Sequence, residues 1–458
     1  MTANATRPRQ EREEIVLTVG PPAHGGHCVA RPADDPSGRV VFVRHALPGE
    51  TVRAVMTGKS AKIWRADAVD VLSASPDRVE PLWPEAGPGG VGGAELGHVA
   101  LPAQRTWKRW VLADCLRRIG GEEVASAVAA LPEATGAGAV PVEPMASEAA
   151  AETSEAARVR ARAGTGTRTR VALVGDDEGR AGMHAFRSGM VLPLRRLPLA
   201  VEAITEIGLL ERSRWRAHYR PGMRIEAIAP SGGEPVVLLD ERLLTAQARS
   251  TGRRRVREVV DASALGLGEL TYSVHAEGFW QVHVDAPRVL VERVVRGALG
   301  ADLDGAAGSR VLELYSGAGL FTLPLAALVG SGGEVVSLEG NEQAVRDARR
   351  TLHDQPSARL ASGRVSARSV RELAGSLTGG RPDVVVLDPP RQGAGREVIE
   401  AVGALGAERI VLVACDPAAL ARDLGTLLRS GFALGSMSAL DMFPHTHHFE
   451  TIAVLERS

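Results

Sequence analysis

Cysteine is scarce, with 3 residues in 458. Three scattered cysteines make neither a disulfide framework nor a Cys-x-x-Cys metal pair. Aromatic residues are only 3% of the chain. No apolar run approaches the roughly 18 residues of a membrane span, so no membrane partner is expected. The opening "MTANATRPRQEREE" carries no apolar stretch behind its charges and does not read as a secretory signal. These absences point to a cytoplasmic, reducing location. Net charge is −1, which by itself argues against nucleic acid. The arginines are unevenly spread, however: Arg158, Arg160, Arg162, Arg168 and Arg170; Arg212, Arg214, Arg216, Arg220 and Arg224; and Arg253, Arg254, Arg255 and Arg257. Three clusters in the middle of one chain read as a phosphate-facing surface, against the plainer alternative of a solvated face.

Apolar residues amount to 44%, enough for two or three cores. Residues 1–12 read as a disordered tail. Short Val-rich runs punctuated by Gly and Pro over 13–72 predict a small β-barrel. A helix is expected over 103–118, with Cys115 as a packing residue inside it. Residues 73–270 read as a β-rich central domain. Within it, 121–167 is rich in Ala, Glu, Gly and Thr and reads as a low-complexity insertion of partial order. From about 271 to 458, strands predicted at 311–315, 334–339, 384–388, 410–414 and 451–455 alternate with helices at 342–352, 395–405 and 417–430. That alternation predicts a doubly wound parallel α/β sheet, with ligands bound beyond the carboxyl ends of its strands.

Those strand ends carry the chemistry. "VLELYSGAGLF" runs from a strand through Gly317 and Gly319, where backbone can approach a nucleotide closely. Thr322 stands where a dinucleotide fingerprint needs a small third residue, so an NAD site is disfavoured. Glu339, ending the next strand, is placed to accept ribose hydroxyls. "VVVLDPPRQG" ends a third strand on Asp388, held by two prolines. "VLVACDPAALARDL" puts Cys415 just before a helix, where the dipole is expected to favour the thiolate. "DMFPHTHHFET" supplies Glu450 as a candidate base; its three histidines, His445, His447 and His448, make a weak metal motif, and no metal is expected.

Together "LYSGAGLF", "DPPRQG", "CDPAALARDL" and "DMFPHTHHFET" resemble the RNA uridine-5-methyltransferase family, in family order. The resemblance implies a Rossmann-like domain dependent on S-adenosylmethionine, preceded by an OB-like TRAM barrel that binds RNA and by the β-rich central domain. It implies Cys415 as nucleophile and Glu450 as proton acceptor. It implies cofactor contacts at Gln281 (in "HAEGFWQVH"), Tyr315, Gly317, Gly319, Glu339 and Asp388. The implied partner is transfer or ribosomal RNA, and a monomer is expected. Two alternatives stand beside it: a non-catalytic RNA-binding relic, and a methyltransferase for another base or a small molecule. The chain departs from the family in two places. Where many members hold an iron–sulfur cluster, Trp83, Val91 and Ala94 stand at three cysteine places and Leu197 near the fourth, so no cluster is expected. Leu320 stands where the family often has Asn.

Overall fold

In a computed structural model of the chain, residues 13–134, 136–303 and 305–458 are described; the expected tail at 1–12 lies outside them. The chain divides into two compact units. The first runs through Trp107, past the expected barrel boundary at 72, and also takes in His184–Leu192 and Pro444–His447.

The first unit contains a closed barrel of β1 (Glu14–Ala23), β2 (His27–Pro32), β3 (Val41–Arg44), β4 (Thr51–Lys59) and β5 (Trp64–Ser73), in the order β1-β2-β3-β5-β4. Only β3 and β5 run parallel. Alternation along the strands sends Leu17, Val19, Cys28, Ala30, Val41, Val43, Val52, Ala54, Ala66 and Ala68 inward, a largely small set that fits a narrow lumen. Gly20 is required where β1 bulges against β2, because a Cβ there would lie 2.9 Å from the Val29 carbonyl oxygen. A buried bidentate pair, Arg44 to Asp67 at 2.9 and 2.7 Å, joins β3 to β5. Trp83, Val91 and Ala94, at three of the family's cysteine places, are buried apolar side chains.

The second unit begins at Lys108 and includes residues expected to be poorly ordered. Residues 121–167 instead form helices Gly121–Ala129, Ala146–Glu152 and Ala157–Arg160 and strand β6 (Val142–Pro144). The physical reason is spacing. Val124, Val128, Leu131, Val140, Val142 and Met145 are few but fall where each can be buried, and they are.

Next come β7 (Arg170–Gly175), β8 (Ala181–His184), β9 (Val191–Pro193), β10 (Arg224–Ile228), β11 (Val236–Leu239) and β12 (Arg242–Thr245); β7 and β10 to β12 pair antiparallel. An antiparallel ribbon, β13 (Arg255–Asp261) with β14 (Glu269–His275), follows. The arginine clusters here are not uniformly a surface. Arg170 is buried against Glu258 at 3.4 Å, Arg214 donates to the carbonyls of Ile207 and Ala246, and Arg255 pairs with buried Asp347 at 2.9 Å. Arg158, Arg160, Arg162, Arg212, Arg216, Arg220, Arg224, Arg253, Arg254 and Arg257 remain exposed.

The last sheet uses β15 (Arg310–Leu314), β16 (Glu334–Glu339), β17 (Ala358–Ser362), β18 (Val384–Leu387), β19 (Arg409–Ala414), β20 (Phe432–Asp441) and β21 (Glu450–Arg457), in the order β17-β16-β15-β18-β19-β21-β20-β6. Strands β15 to β19 are parallel, as expected. The expectation of a wholly parallel sheet needs correction, because β21 runs antiparallel to both β19 and β20. The reason lies in the connection: only residues 442–449 separate β20 from β21, too few for the crossover that a parallel pair requires.

Lys108 is fully buried, and its Nζ donates to Asp441 Oδ1 at the end of β20 and to the Phe443 carbonyl at 3.1 Å. Breaking such a pair strands a buried charge. Lys108→Ala should therefore destabilise the fold by about 3–5 kcal/mol, whereas joint replacement of Lys108 and Asp441 by leucine should lose less than either single change. Thermal melts of the three variants check this; a double variant weaker than both singles would contradict it.

Candidate active site

Every site residue expected from the sequence lies in the second unit. The parallel register explains how they meet. Leu314 pairs with Leu338 on one side and Leu387 on the other, so Tyr315, Glu339 and Asp388 form the next row at the carboxyl edge. On the antiparallel side Ala414 pairs with Thr451, and Thr451 Oγ1 donates to the Ala414 carbonyl at 2.8 Å. Cys415 directly follows Ala414 and Glu450 directly precedes Thr451, and the charge of Glu450 acts on the Cys415 thiol.

The glycine turn is fixed by Glu339. Its Oε2 accepts from the Gly317 amide at 2.9 Å and its Oε1 from the Asn341 amide at 2.6 Å. Tyr315, a non-glycine residue at φ 64, is held in the left-handed region while its amide donates to Leu338 O at 2.8 Å. Such strained backbone concentrates where a site needs a fixed geometry. Gly317 has φ 55, and a Cβ there would meet nothing within 4 Å. Gly319 has φ 88, and its Cβ would press on Leu352 at 3.3 Å. One glycine therefore leaves open room, and the other serves packing. Leu320, at the family's Asn place, is nine-tenths buried, and its carbonyl accepts from Tyr272 Oη at 3.0 Å. Gln281 is also about nine-tenths buried, in an irregular segment after β14.

Electrostatics overturn one expectation. The Cys415 thiol is pushed up to about 12, first by burial and then by the negative charges of Glu450 and Asp388, with Arg391 opposing. The helix that follows does not hold a thiolate in the free site, because its first amide donors are already taken: Asp416 caps the helix and accepts from Ala418 and Ala419. Asp388 is pushed up to about 7 by burial and by Glu339. Buried Glu450 rises well above the usual carboxylate range, through burial and Asp388, again opposed by Arg391. Its Oε1 is a buried acceptor without a hydrogen-bond partner among the described residues.

Three further groups escaped the sequence reading. Arg391 is the cation acting on both Cys415 and Glu450. Glu313, buried on β15, accepts from Thr322 Oγ1 at 2.6 Å and is pushed up to about 8, chiefly by burial. Asp423 Oδ2 accepts from the Ala394 amide at 3.1 Å and so ties down the loop after Asp388. The motif "DPPRQG" contained Arg391, but nothing local marks a role for it. Two of the three histidines that invited a metal reading have partners within the first unit: His447 pairs with Glu95, and the His445 amide donates to Gln104 at 2.7 Å.

Comparison with known proteins supplies the context. Residues 268–458 match the family model of tRNA (uracil-5-)-methyltransferase. The chain is 38% identical to an uncharacterized RNA methyltransferase of Streptomyces avermitilis, over 97% of this chain and 98% of the relative. It is 31% identical to a 23S rRNA (uracil(1939)-C(5))-methyltransferase of Alkalilimnicola ehrlichii, over 98% of each. In fold it is similar to the Pyrococcus abyssi tRNA (uracil-54, C5)-methyltransferase solved with S-adenosyl-L-homocysteine, at a TM-score of 0.62 and 20% identity, covering 96% of this chain and 99% of that one.

The raised carboxyl of Asp388 generates a stability prediction. A folded-state pKa near 7 means that the folded chain keeps a proton that the unfolded chain has lost, so stability falls as pH rises from about 4 to 7. Asp388→Asn should therefore raise the melting temperature of the free protein at pH 8 by a few degrees and leave it nearly unchanged at pH 4. Melts at both pH values check this; a lower melting temperature at pH 8 would contradict it.

Proposed function

We propose, on the premise that the chain belongs to the RNA (uracil-5-)-methyltransferase family, that it methylates C5 of a uridine in transfer or ribosomal RNA through a covalent bond from Cys415 to C6. The observation that carries this reading is that Cys415, Glu450 and Asp388, each at an end of a neighbouring strand, lie close enough for the two carboxyls to act on the thiol. The residues present fit S-adenosylmethionine. Glu339 is braced by two backbone amides with lone pairs to spare for ribose hydroxyls, and Gly317 leaves the space a Cβ would fill. When bound, S-adenosylmethionine supplies an electrophilic methyl on a positively charged sulfur. Gln281, Tyr315, Gly319 and Asp388 complete the set of cofactor contacts.

The chain's own residues then act in order. The Cys415 thiol loses its proton to water and its sulfur adds to C6 of the uracil. That addition makes C5 nucleophilic, and C5 takes the methyl group. Glu450 removes the remaining C5 proton, the C5–C6 double bond re-forms, and the Cys415 sulfur leaves. Covalent addition divides one hard step into easier ones. A buried carboxylate with a raised pKa is a stronger base than an exposed one, which suits this abstraction at neutral pH. Arg391 supports the anionic forms of both groups. Phe279, three-quarters exposed and two residues before Gln281, offers a ring on which an extruded base can stack. The barrel, read as a TRAM domain, adds a grip on the RNA: Arg39 and Lys59 lie over the Trp64 ring at 5.1 and 4.5 Å. No helix among the described residues is long and apolar enough to cross a membrane. A monomer working in the cytoplasm, without an iron–sulfur cluster, accords with this reading.

The test uses Glu450→Gln, which keeps the side chain's shape but is a far weaker base. It should stall with Cys415 joined to C6 of a methylated uridine, giving a protein–RNA band that survives denaturing electrophoresis. The band should require both adenosylmethionine and Cys415. Slow turnover with no band would remove Glu450 from the base role. Cys415→Ala should lose several orders of magnitude in rate while binding adenosylmethionine normally. Activity within about tenfold of wild type would overturn the covalent reading.

A further inference from the structure

Gln281 belongs to neither strand nor helix. A side chain on irregular backbone is aimed only as well as that backbone is held, so the question is what holds it. On one side, Thr169 donates to the Val282 carbonyl through its amide at 2.8 Å and its hydroxyl at 3.0 Å, and the Val284 amide donates to Thr167 O at 2.9 Å. On the other side stands the helix Ala146–Glu152, from the stretch whose composition reads as low complexity. Met145 shares a core with Trp280, and the Ser147 amide donates to Asp285 Oδ2 at 2.8 Å.

A further contact, from Glu148, is the unusual one. Glu148 is 3% exposed and His283 1%, and His283 Nε2 lies 2.8 Å from Glu148 Oε1. His283 Nδ1 accepts from the Asp285 amide at 3.1 Å, so the ring proton is on Nε2 and is donated to Glu148. Ser147 Oγ donates to the other carboxyl oxygen at 3.2 Å. A buried carboxyl matched to an imidazole is a poor device for stability, since apolar packing of the same volume does as well or better. It is a good device for fixing direction, because each hydrogen bond has one geometry.

We propose that Glu148 is a positioning residue: through His283 it holds the backbone that aims the Gln281 carboxamide at bound adenosylmethionine. The proposal rests on the reading of Gln281 as a cofactor contact. It makes the inserted segment part of the support of the cofactor site.

The test is calorimetric binding of adenosylmethionine to the full chain and to Glu148→Ala, Glu148→Gln, Gln281→Ala and the double variant Glu148→Ala/Gln281→Ala. Removing the acceptor strands a buried N–H, so Glu148→Ala should weaken binding roughly tenfold or more. Glu148→Gln keeps an acceptor oxygen in place and should stay within about threefold of wild type. The double variant should bind no more weakly than Gln281→Ala alone, because residues acting through one another are not additive. If Glu148→Ala does not fold, Glu148→Asp carries the test: it keeps the carboxyl but shifts it by about 1 Å, and should weaken binding several-fold with little change in melting temperature. Two independent losses that multiply, or Glu148→Ala (or Glu148→Asp in its place) binding within about twofold of wild type, would overturn the proposal and leave Gln281 as a cofactor contact. Wild-type affinity in Gln281→Ala would overturn both, while leaving the roles of Cys415 and Glu450 standing.

Discussion

The pairing of β21 against β19 is the constraint on which the candidate site depends. Ala414 meets Thr451, and the residues next to them, Cys415 and Glu450, are thereby brought close although they are 35 positions apart in sequence (450 − 415). A slip of one residue would turn Glu450 to the other side of the sheet. The Thr451 hydroxyl bond to the Ala414 carbonyl pins that register at the point where it matters. Around the pair, the parallel strands deliver Tyr315, Glu339 and Asp388 to one row, and the strained backbone at Tyr315 and the braced carboxylate of Glu339 hold that row still.

The same arrangement concentrates acidic groups. Glu339 raises the proton affinity of Asp388, Asp388 raises that of Glu450, and both Glu450 and Asp388 raise that of the Cys415 thiol; buried Glu313 is raised as well. Such a cluster is unfavourable in the free protein, and Arg391 offsets it only in part. In the proposed reaction its ligands are a positively charged sulfur and an electron-poor uracil ring. The charge that destabilises the free site is therefore the charge that the proposed reaction uses, a trade of stability for function of a familiar kind.

Much of this was legible in the sequence. Of the five parallel strands β15 to β19, four (β15, β16, β18 and β19) are plain from pattern alone, as apolar runs that lead to Tyr315, Glu339, Asp388 and Cys415. β17 was missed because "ARLAS" is half polar, and β20 because "FALGSMSALD" breaks its alternation at a bulge near Gly435. The antiparallel turn of β21 depends on the length of a connection, which composition does not reveal. The insertion at 121–167 misled because burial of a few well-spaced residues outweighs an Ala- and Glu-rich average. The state of the Cys415 thiol also lay out of reach, since a neighbouring helix is visible in sequence whereas two carboxylates arriving from other strands are not. Roles for Arg391, Glu148 and Asp423 are likewise matters of three-dimensional neighbourhood.

The central claim is that C5 of a uridine is the acceptor and that its hydrogen leaves through a Cys415-dependent route. Release of tritium from RNA transcribed with 5-tritiated uridine tests it directly, measured alongside transfer of a labelled methyl group from adenosylmethionine. The account predicts one tritium released per methyl transferred, and neither event with Cys415→Ala. Methyl transfer to the RNA without tritium release would place the methyl at another atom and contradict the account.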